Sequence, residues 1–181
     1  MVGILQMAKE YLKERANPEG LYVDFTMGHG RDTLFLSRLA PQGRVVAFDV
    51  QPQAIQSAQT LLLTNGICNV TLICDGHEHL LDYVQEPIDG GMFNLGFLPG
   101  GDHRLTTRVE STLKALTDGM GLLKTGGILT VSVYPGHPEG GREGERLIEV
   151  LSGMDKKCWD VFIYRLINVS ESPFLLGVIK R

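Results

Sequence analysis

Residues Leu21–Asp49 read LYVDFTMGHGRDTLFLSRLAPQGRVVAFD. A short apolar run, Leu21 to Phe25, meets a glycine-rich turn, and the turn leads into a segment carrying Leu34, Phe35 and Leu39 at helical spacing. Pro41 to Gly43 breaks that segment, and Arg44 to Phe48 is a second apolar run ending at Asp49. Short apolar runs bounded by glycine or proline read as buried strands, and apolar spacings of three and four read as helix. The stretch is a strand–turn–helix–strand unit, the building block of a parallel sheet covered on both faces.

Working outward, the same alternation continues almost from end to end. Ile4 to Ala16 puts Ile4, Leu5, Ala8, Tyr11 and Leu12 on one helical face, and Pro18 to Gly20 stops it. After Asp49, Pro52 opens a helix whose buried stripe is Ala54, Ile55, Ala58, Leu61 and Leu62, and Asn65-Gly66 ends it. Asn69 to Cys74 is a third strand, His77 to Val84 a short helix, and Gly91 to Gly96 a fourth strand. From Leu105, the positions Val109, Leu113, Leu116, Met120 and Leu123 mark a long helix, and Gly126-Gly127 separates it from strand five, Ile128 to Tyr134. A glycine-broken segment precedes a helix with Leu147, Ile148, Val150, Leu151 and Met154, and the strands Trp159 to Ile167 and Phe174 to Ile179 close the chain. The short link Asn168 to Pro173 makes the last pair a hairpin, hence antiparallel. The expectation is an α/β fold: one domain over 1–181 with a doubly wound, seven-stranded, mostly parallel sheet and an antiparallel last strand.

Composition narrows the class. With 181 residues, 43% hydrophobic and 21% charged, the chain is of ordinary globular make-up. It has no apolar run long enough to span a bilayer and no signal-peptide pattern, so a cytoplasmic protein with no membrane partner is expected. Cys68, Cys74 and Cys158 form no C-x-x-C pair and read as reduced, partly buried thiols. A net charge of −4 argues against an extensive phosphate-gripping face and leaves any nucleic-acid contact local.

In an open parallel sheet, ligands bind beyond the carboxyl ends of the strands. Strand one ends in Asp24-Phe25-Thr26-Met27-Gly28-His29-Gly30, strand two in Asp49, strand three in Asp75, strand four in Asn94, and strand five in Tyr134 and His137. Each strand thus delivers a polar candidate to one edge. Gly28 and Gly30 permit close backbone approach to a ligand. The dinucleotide pattern G-x-G-x-x-G fails, because Thr33 stands where its third glycine belongs. That failure and the terminal hairpin disfavour a nicotinamide-dependent oxidoreductase. Asp49, 19 residues beyond Gly30, is spaced to accept ribose hydroxyls, its alternative being a cap for the helix at Pro52. Asp75 before Gly76 suits an adenine amino group or a helix cap. His77 and His79 with Asp75 make an incomplete ligand set, so no metal is expected.

Asp24 four residues before Gly28 gives D-x-x-x-G-x-G, which looks like motif I of methyltransferases, and Asn94-x-x-Phe97 has the outline of the Asn-Pro-Pro-aromatic motif of amino-group methyltransferases without its prolines. The blocks DFTMGHGRDTLFLS (Asp24 to Ser37), FDVQ (Phe48 to Gln51), NLGFLPGGD (Asn94 to Asp102) and YPGHPEGGRE (Tyr134 to Glu143) extend the likeness over nearly the whole chain. They resemble the small bacterial family long labelled rRNA methylases and now understood as tRNA 5-aminomethyl-2-thiouridine methyltransferases of the MnmM type, within the class I fold. Phe25 and Met27 stand where that family usually has small residues, His29 where it commonly has asparagine, and Phe97 where it often has tyrosine.

The resemblance implies S-adenosyl-L-methionine as cofactor. Its contacts would be Asp24, Thr26, Gly28, His29, Gly30, Asp32 and Thr33, then Asp49 and Gln51, then Asp75, Gly76, His77 and Asn94. It implies methylation of the 5-aminomethyl group of a wobble uridine, with Asn94 orienting the amine and His137, Tyr134 or Asp102 taking its proton. The partner would be a tRNA anticodon loop, whose unpaired base needs stacking and a few hydrogen bonds rather than a basic duplex-binding face. A methyltransferase acting on rRNA or a small amine, and a non-catalytic RNA-binding factor on the same fold, share these features. A homodimer is compatible with so small a chain.

Overall fold

A computed structural model describes residues 3–96, 107–136 and 138–181. The elements are α1 (Ile4–Glu14), β1 (Leu21–Asp24), α2 (Arg31–Leu39), β2 (Arg44–Phe48), α3 (Pro52–Thr64), β3 (Val70–Ile73), a 3₁₀ turn (His77–His79) running into α4 (Leu80–Tyr83), β4 (Ile88–Asn94), α5 (Val109–Leu122), β5 (Leu123–Val133), α6 (Pro138–Ser152), β6 (Trp159–Tyr164) and β7 (Phe174–Lys180). One seven-stranded sheet has the order β3-β2-β1-β4-β5-β7-β6. Strands β1 to β5 pair in parallel, while β7 runs antiparallel to both β5 and β6. The terminal hairpin therefore forms as expected, with β7 inserted between β5 and β6.

The sheet is covered on both faces, as parallel strands require. On one face Leu80 and Val84 of the α4 region, Ala115, Leu116 and Met120 of α5, and Leu147 and Leu151 of α6 pack on Val23, Phe93, Leu129 and Val131. On the other, Ala8 and Leu12 of α1 and Leu36 of α2 meet Tyr22, Val45, Met92 and Ile128. Residues two apart along a strand share a face. Asp24, Asn94 and Ser132 follow Tyr22, Met92 and Thr130 by that rule, so they stand on the α1 face.

The amino-terminal edge of the sheet is fixed by Asp89, which accepts hydrogen bonds from the Leu21 amide (2.9 Å), Asn17 Nδ2 (2.8 Å) and Lys124 Nζ (2.7 Å). Burial works to raise its pKa, and these three donors together hold it below the ordinary value.

Several expectations are corrected. Gly126-Gly127 do not separate helix from strand: β5 begins at Leu123 and runs through them, with Gly126 at φ 82° and the register shifting between Ile88 and Gly90. Strand four begins at Ile88 rather than Gly91. The glycine-broken segment is helical, since α6 starts at Pro138. Gly144 there leaves room for a ring, because a Cβ would lie 2.8 Å from Phe174 Cζ. Strand β6 stops at Tyr164, short of Ile167. The three cysteines are exposed rather than partly buried. Among the described residues no helix is long and apolar enough to cross a membrane, and no cluster of three metal-ligating side chains occurs.

Candidate functional site

The carboxyl ends of β1 to β4 gather the polar residues that the sequence singles out. The turn after β1 is built around Asp24. Its Oδ1 accepts the Thr26 amide (3.1 Å) and its Oδ2 accepts the Thr33 hydroxyl (2.6 Å). Thr33, which spoils the dinucleotide pattern, is thus the side chain that closes the turn onto β1. Asp24 is 1% exposed, and burial followed by the nearby Asp32 carboxylate pushes it up to about 7. Gly28 (φ 51°) and Gly30 (φ 80°) take left-handed conformations. The close approach at Gly30 is physical too: a Cβ there would sit 2.8 Å from Ala58 Cα.

Asp49, at the end of β2, faces this turn. Its Oδ2 accepts the Gly28 amide (3.0 Å) and its Oδ1 the Gln51 amide (2.9 Å). The cap of α3 is Gln51, so Asp49 is not the helix cap that its position before Pro52 also allowed. Burial raises the Asp49 pKa, while the Gln51 and Gly28 amides and the His77 and His29 rings oppose the rise. His29 is exposed and bonds Ser57 Oγ at 3.0 Å.

The turn is also joined to β4. Thr26 Oγ1 accepts the Asn94 amide at 2.7 Å, so the residue expected to orient an acceptor is fixed to the turn expected to hold a cofactor. On the outer side, Asp32 of α2 pairs with Lys9 of α1 at 2.7 Å. Tyr134 stands half-buried just beyond β5, and its phenol is pushed above the ordinary range by burial and then by Asp32.

After β3 the arrangement differs from expectation. Asp75 is engaged locally: Oδ1 accepts the Gly76 amide (2.8 Å) and meets His79 Nδ1 (3.0 Å), and Oδ2 accepts the Tyr83 hydroxyl (2.9 Å). These contacts, the Gly76 amide foremost, lower its pKa. His77 is buried and its Nδ1 lies 2.9 Å from the Phe25 carbonyl. A carbonyl only accepts, so Nδ1 carries the proton and Nε2 presents a lone pair. Burial lowers this histidine's basicity and keeps it neutral. Its Nε2 is buried without a protein partner. His137 and Asp102 lie outside the described residues.

Phe25 and Met27, larger than the family pattern, turn into the core. Phe25 stacks on Phe93 with centroids 3.9 Å apart, and Gly91 and Gly119 supply the room, since a Cβ on either would come within 2.8 or 3.1 Å of the Phe25 ring. Met27 packs with Ala47 and Ala58. Sequence reasoning missed Lys9 and Glu143, the latter 1% exposed on α6. Nothing local marks either residue, because their partners are remote in sequence.

The edge is rich in acceptor groups: Asp49 faces the glycine turn, Asp75 already accepts from Gly76 and Tyr83, Asp32 is paired with Lys9, and His77 Nε2 is a buried acceptor. That set fits a ligand rich in donors and positive charge, such as an adenosyl sulfonium with ribose hydroxyls, an amino group and an ammonium.

Comparison with known proteins supports the same chemistry. Residues 45–180 match the family model described as "Putative rRNA methylase". The crystal structure of a "putative rRNA-methylase" from Clostridium thermocellum has a TM-score of 0.97 at 39% identity, covering 100% of this chain and 99% of that one. A "putative methyltransferase" from Streptococcus mutans, crystallised in complex with SAH, has a TM-score of 0.92 at 34% identity, covering 100% and 99%. A chloroplastic tRNA (mnm(5)s(2)U34)-methyltransferase of Arabidopsis thaliana is 33% identical over 174 residues, 88% of this chain. This chain spans 62% of that relative's length.

Proposed function

The chain belongs to the "Putative rRNA methylase" family and is an S-adenosylmethionine-dependent methyltransferase, and from that premise we propose that it methylates the primary amine of 5-aminomethyl-2-thiouridine at the wobble position of tRNA. The observation that carries this reading is the 2.7 Å hydrogen bond from the Asn94 amide to Thr26 Oγ1, which sets the end of β4 beside the glycine turn. An asparagine there has an amide oxygen to accept an N–H of a neutral amine and so aim its lone pair. The similarity to the plant enzyme, whose name specifies this tRNA nucleoside, supports the choice of acceptor.

Bound S-adenosylmethionine supplies an activated methyl group on a sulfonium. This chain's residues supply position. Asp49 would hold ribose hydroxyls, Gly28 and Gly30 would let the backbone come close, and His77 Nε2 would accept a hydrogen bond from the adenosyl group. Asn94 would hold the amine for attack on the methyl. The nitrogen that receives the methyl would become cationic and would have to lose a proton. Tyr134 stands half-buried at this edge with its phenol kept protonated by burial and then by Asp32, so its oxygen would accept a hydrogen bond from the amine while the proton leaves to solvent. An alkylamine like that of lysine titrates near ~10, so selecting the neutral amine is part of the task of Asn94.

The test is methyl transfer to three purified RNAs: tRNA carrying 5-aminomethyl-2-thiouridine, the same tRNA with an unmodified wobble uridine, and ribosomal RNA. Nucleoside mass spectrometry should find 5-methylaminomethyl-2-thiouridine from the first RNA alone, and Asn94→Ala should lower kcat while leaving S-adenosylmethionine affinity near wild type. Methylation of ribosomal RNA, or of the unmodified tRNA equally well, overturns the acceptor assignment.

A further inference from the structure

Glu143 is the buried charge of α6, 1% exposed, and it has no part in the chemistry above. Its Oε2 accepts the Thr107 hydroxyl at 2.9 Å and its Oε1 accepts the Thr112 hydroxyl at 2.5 Å. Thr107 in turn is joined twice to Gly96: the Gly96 amide donates to Thr107 Oγ1 (3.1 Å), and the Thr107 amide donates to the Gly96 carbonyl (3.1 Å). A hydroxyl has one proton, and Thr107 gives it to Glu143, which turns its oxygen lone pairs toward Gly96.

The consequence lies two residues upstream. Three successive amides at the end of β4 are held by three different elements. Asn94 donates to Thr26 in the glycine turn, Leu95 to the Ser132 carbonyl of β5 (3.0 Å), and Gly96 to the Thr107 hydroxyl that Glu143 orients. Gly96 sits at φ 128°, a conformation open to glycine and rarely adopted by residues with a side chain. A buried acidic side chain that accepts from the Thr107 and Thr112 hydroxyls is held in place, because losing either bond would leave a polar group unmet inside the protein.

We propose that Glu143 is a positioning residue for methyl transfer, acting through Thr107 and Gly96 to fix the direction in which Asn94 presents its amide to the acceptor amine. The inference rests on the reading of Asn94 given above. It also gives the last residue of the YPGHPEGGRE block a role: it sets the geometry of Asn94–Gly96.

The test uses Glu143→Gln, which keeps the shape but offers an amide group in place of one accepting oxygen, and Thr107→Val, which removes the hydroxyl. Each variant should lose kcat by roughly ten- to hundredfold, the scale of a small misplacement, with S-adenosylmethionine Kd within about twofold of wild type. Thr107→Ser should recover most of what Thr107→Val loses, and the double variant should be no worse than the poorer single one. Amide exchange at Asn94–Gly96 should quicken in both variants, while that at Gly28–Gly30 stays unchanged. The exchange readout needs no acceptor, so it separates this inference from the acceptor assignment. Wild type inactive on the aminomethyl tRNA would fail the latter alone. Unchanged exchange at Asn94–Gly96, kcat within about twofold of wild type, or an equal loss of cofactor affinity would each overturn the positioning role of Glu143.

Discussion

Replacing Thr33 by valine should destabilise the protein more at alkaline than at acid pH. The two side chains have the same shape, Thr33 is fully buried, and its hydroxyl donates to Asp24 at 2.6 Å. Asp24 has been pushed from its ordinary 3.8 to about 7, by burial first and by Asp32 second. Between these values the native state binds more protons than the unfolded chain, so stability falls as pH rises from about 4 to about 7 and levels off above. The rise from 3.8 to about 7 corresponds to ~4 kcal/mol at most. Below about pH 6 the Thr33 hydroxyl faces a neutral acid, and losing it costs about 1 kcal/mol. Above about pH 8 it faces a buried carboxylate, and the loss rises to about 2–3 kcal/mol. Urea unfolding of wild type and Thr33→Val at about pH 5.5 and about pH 8.5 measures the difference. An equal penalty at both values, or a larger one in acid, would refute the ionisation assigned to Asp24.

Further consequences can be checked in the same preparations. Gly30→Ala combines φ 80° with a Cβ 2.8 Å from Ala58, whereas Gly126→Ala has φ 82° and open space around it. The first should cost about 2–4 kcal/mol and the second about 1–2 kcal/mol, read as denaturant midpoints; equal losses would show that the Gly30 contact relaxes freely. The hydrogen bond and charge of Asp75 raise the His79 pKa above its ordinary 6.5. The stabilising effect of this pair is present below that ordinary value and fades as pH climbs through the raised one. NMR titration should find the His79 ring titrating above 6.5 in wild type and returning toward it in Asp75→Asn; no change in the variant would remove Asp75 as the cause.

Much of the fold was legible because its signals are local. The unit from Leu21 to Asp49 alternates apolar runs with glycine and proline, and the hairpin followed from the short link before Phe174. What was not legible depended on distant partners. Gly126 and Gly127 look like a breaker, yet β5 passes through them because Gly127 lies against the Asp89 carbonyl, 2.7 Å from where its Cβ would be. Phe25 departs from the pattern of related chains, and its accommodation by Gly91 on β4 and Gly119 on α5 is visible only once the sheet is assembled. In the site, Asp49 and Asn94 followed from their places after strands. Thr33 read as a missing glycine, and the reason for it lies nine residues away in Asp24. Asp75 had two readings, and the structure gives it a local set of partners at the head of the His77–His79 turn. Burial of Glu143 on a helix rich in glycine and charge has no sequence mark at all.

The central claim is that the edge formed by the glycine turn, Asp49 and Asn94 is where cofactor and acceptor meet. Calorimetric titration of S-adenosylmethionine into wild type and Asp49→Ala tests it most directly. Hydrogen bonds to a charged group contribute about 1.5–3 kcal/mol each, so removing the carboxylate that holds the ribose should weaken binding by roughly ten- to hundredfold or more. That result, with Asp49→Ala still folded, is what the account predicts. Wild-type affinity in the variant would contradict it and place the cofactor elsewhere on the sheet.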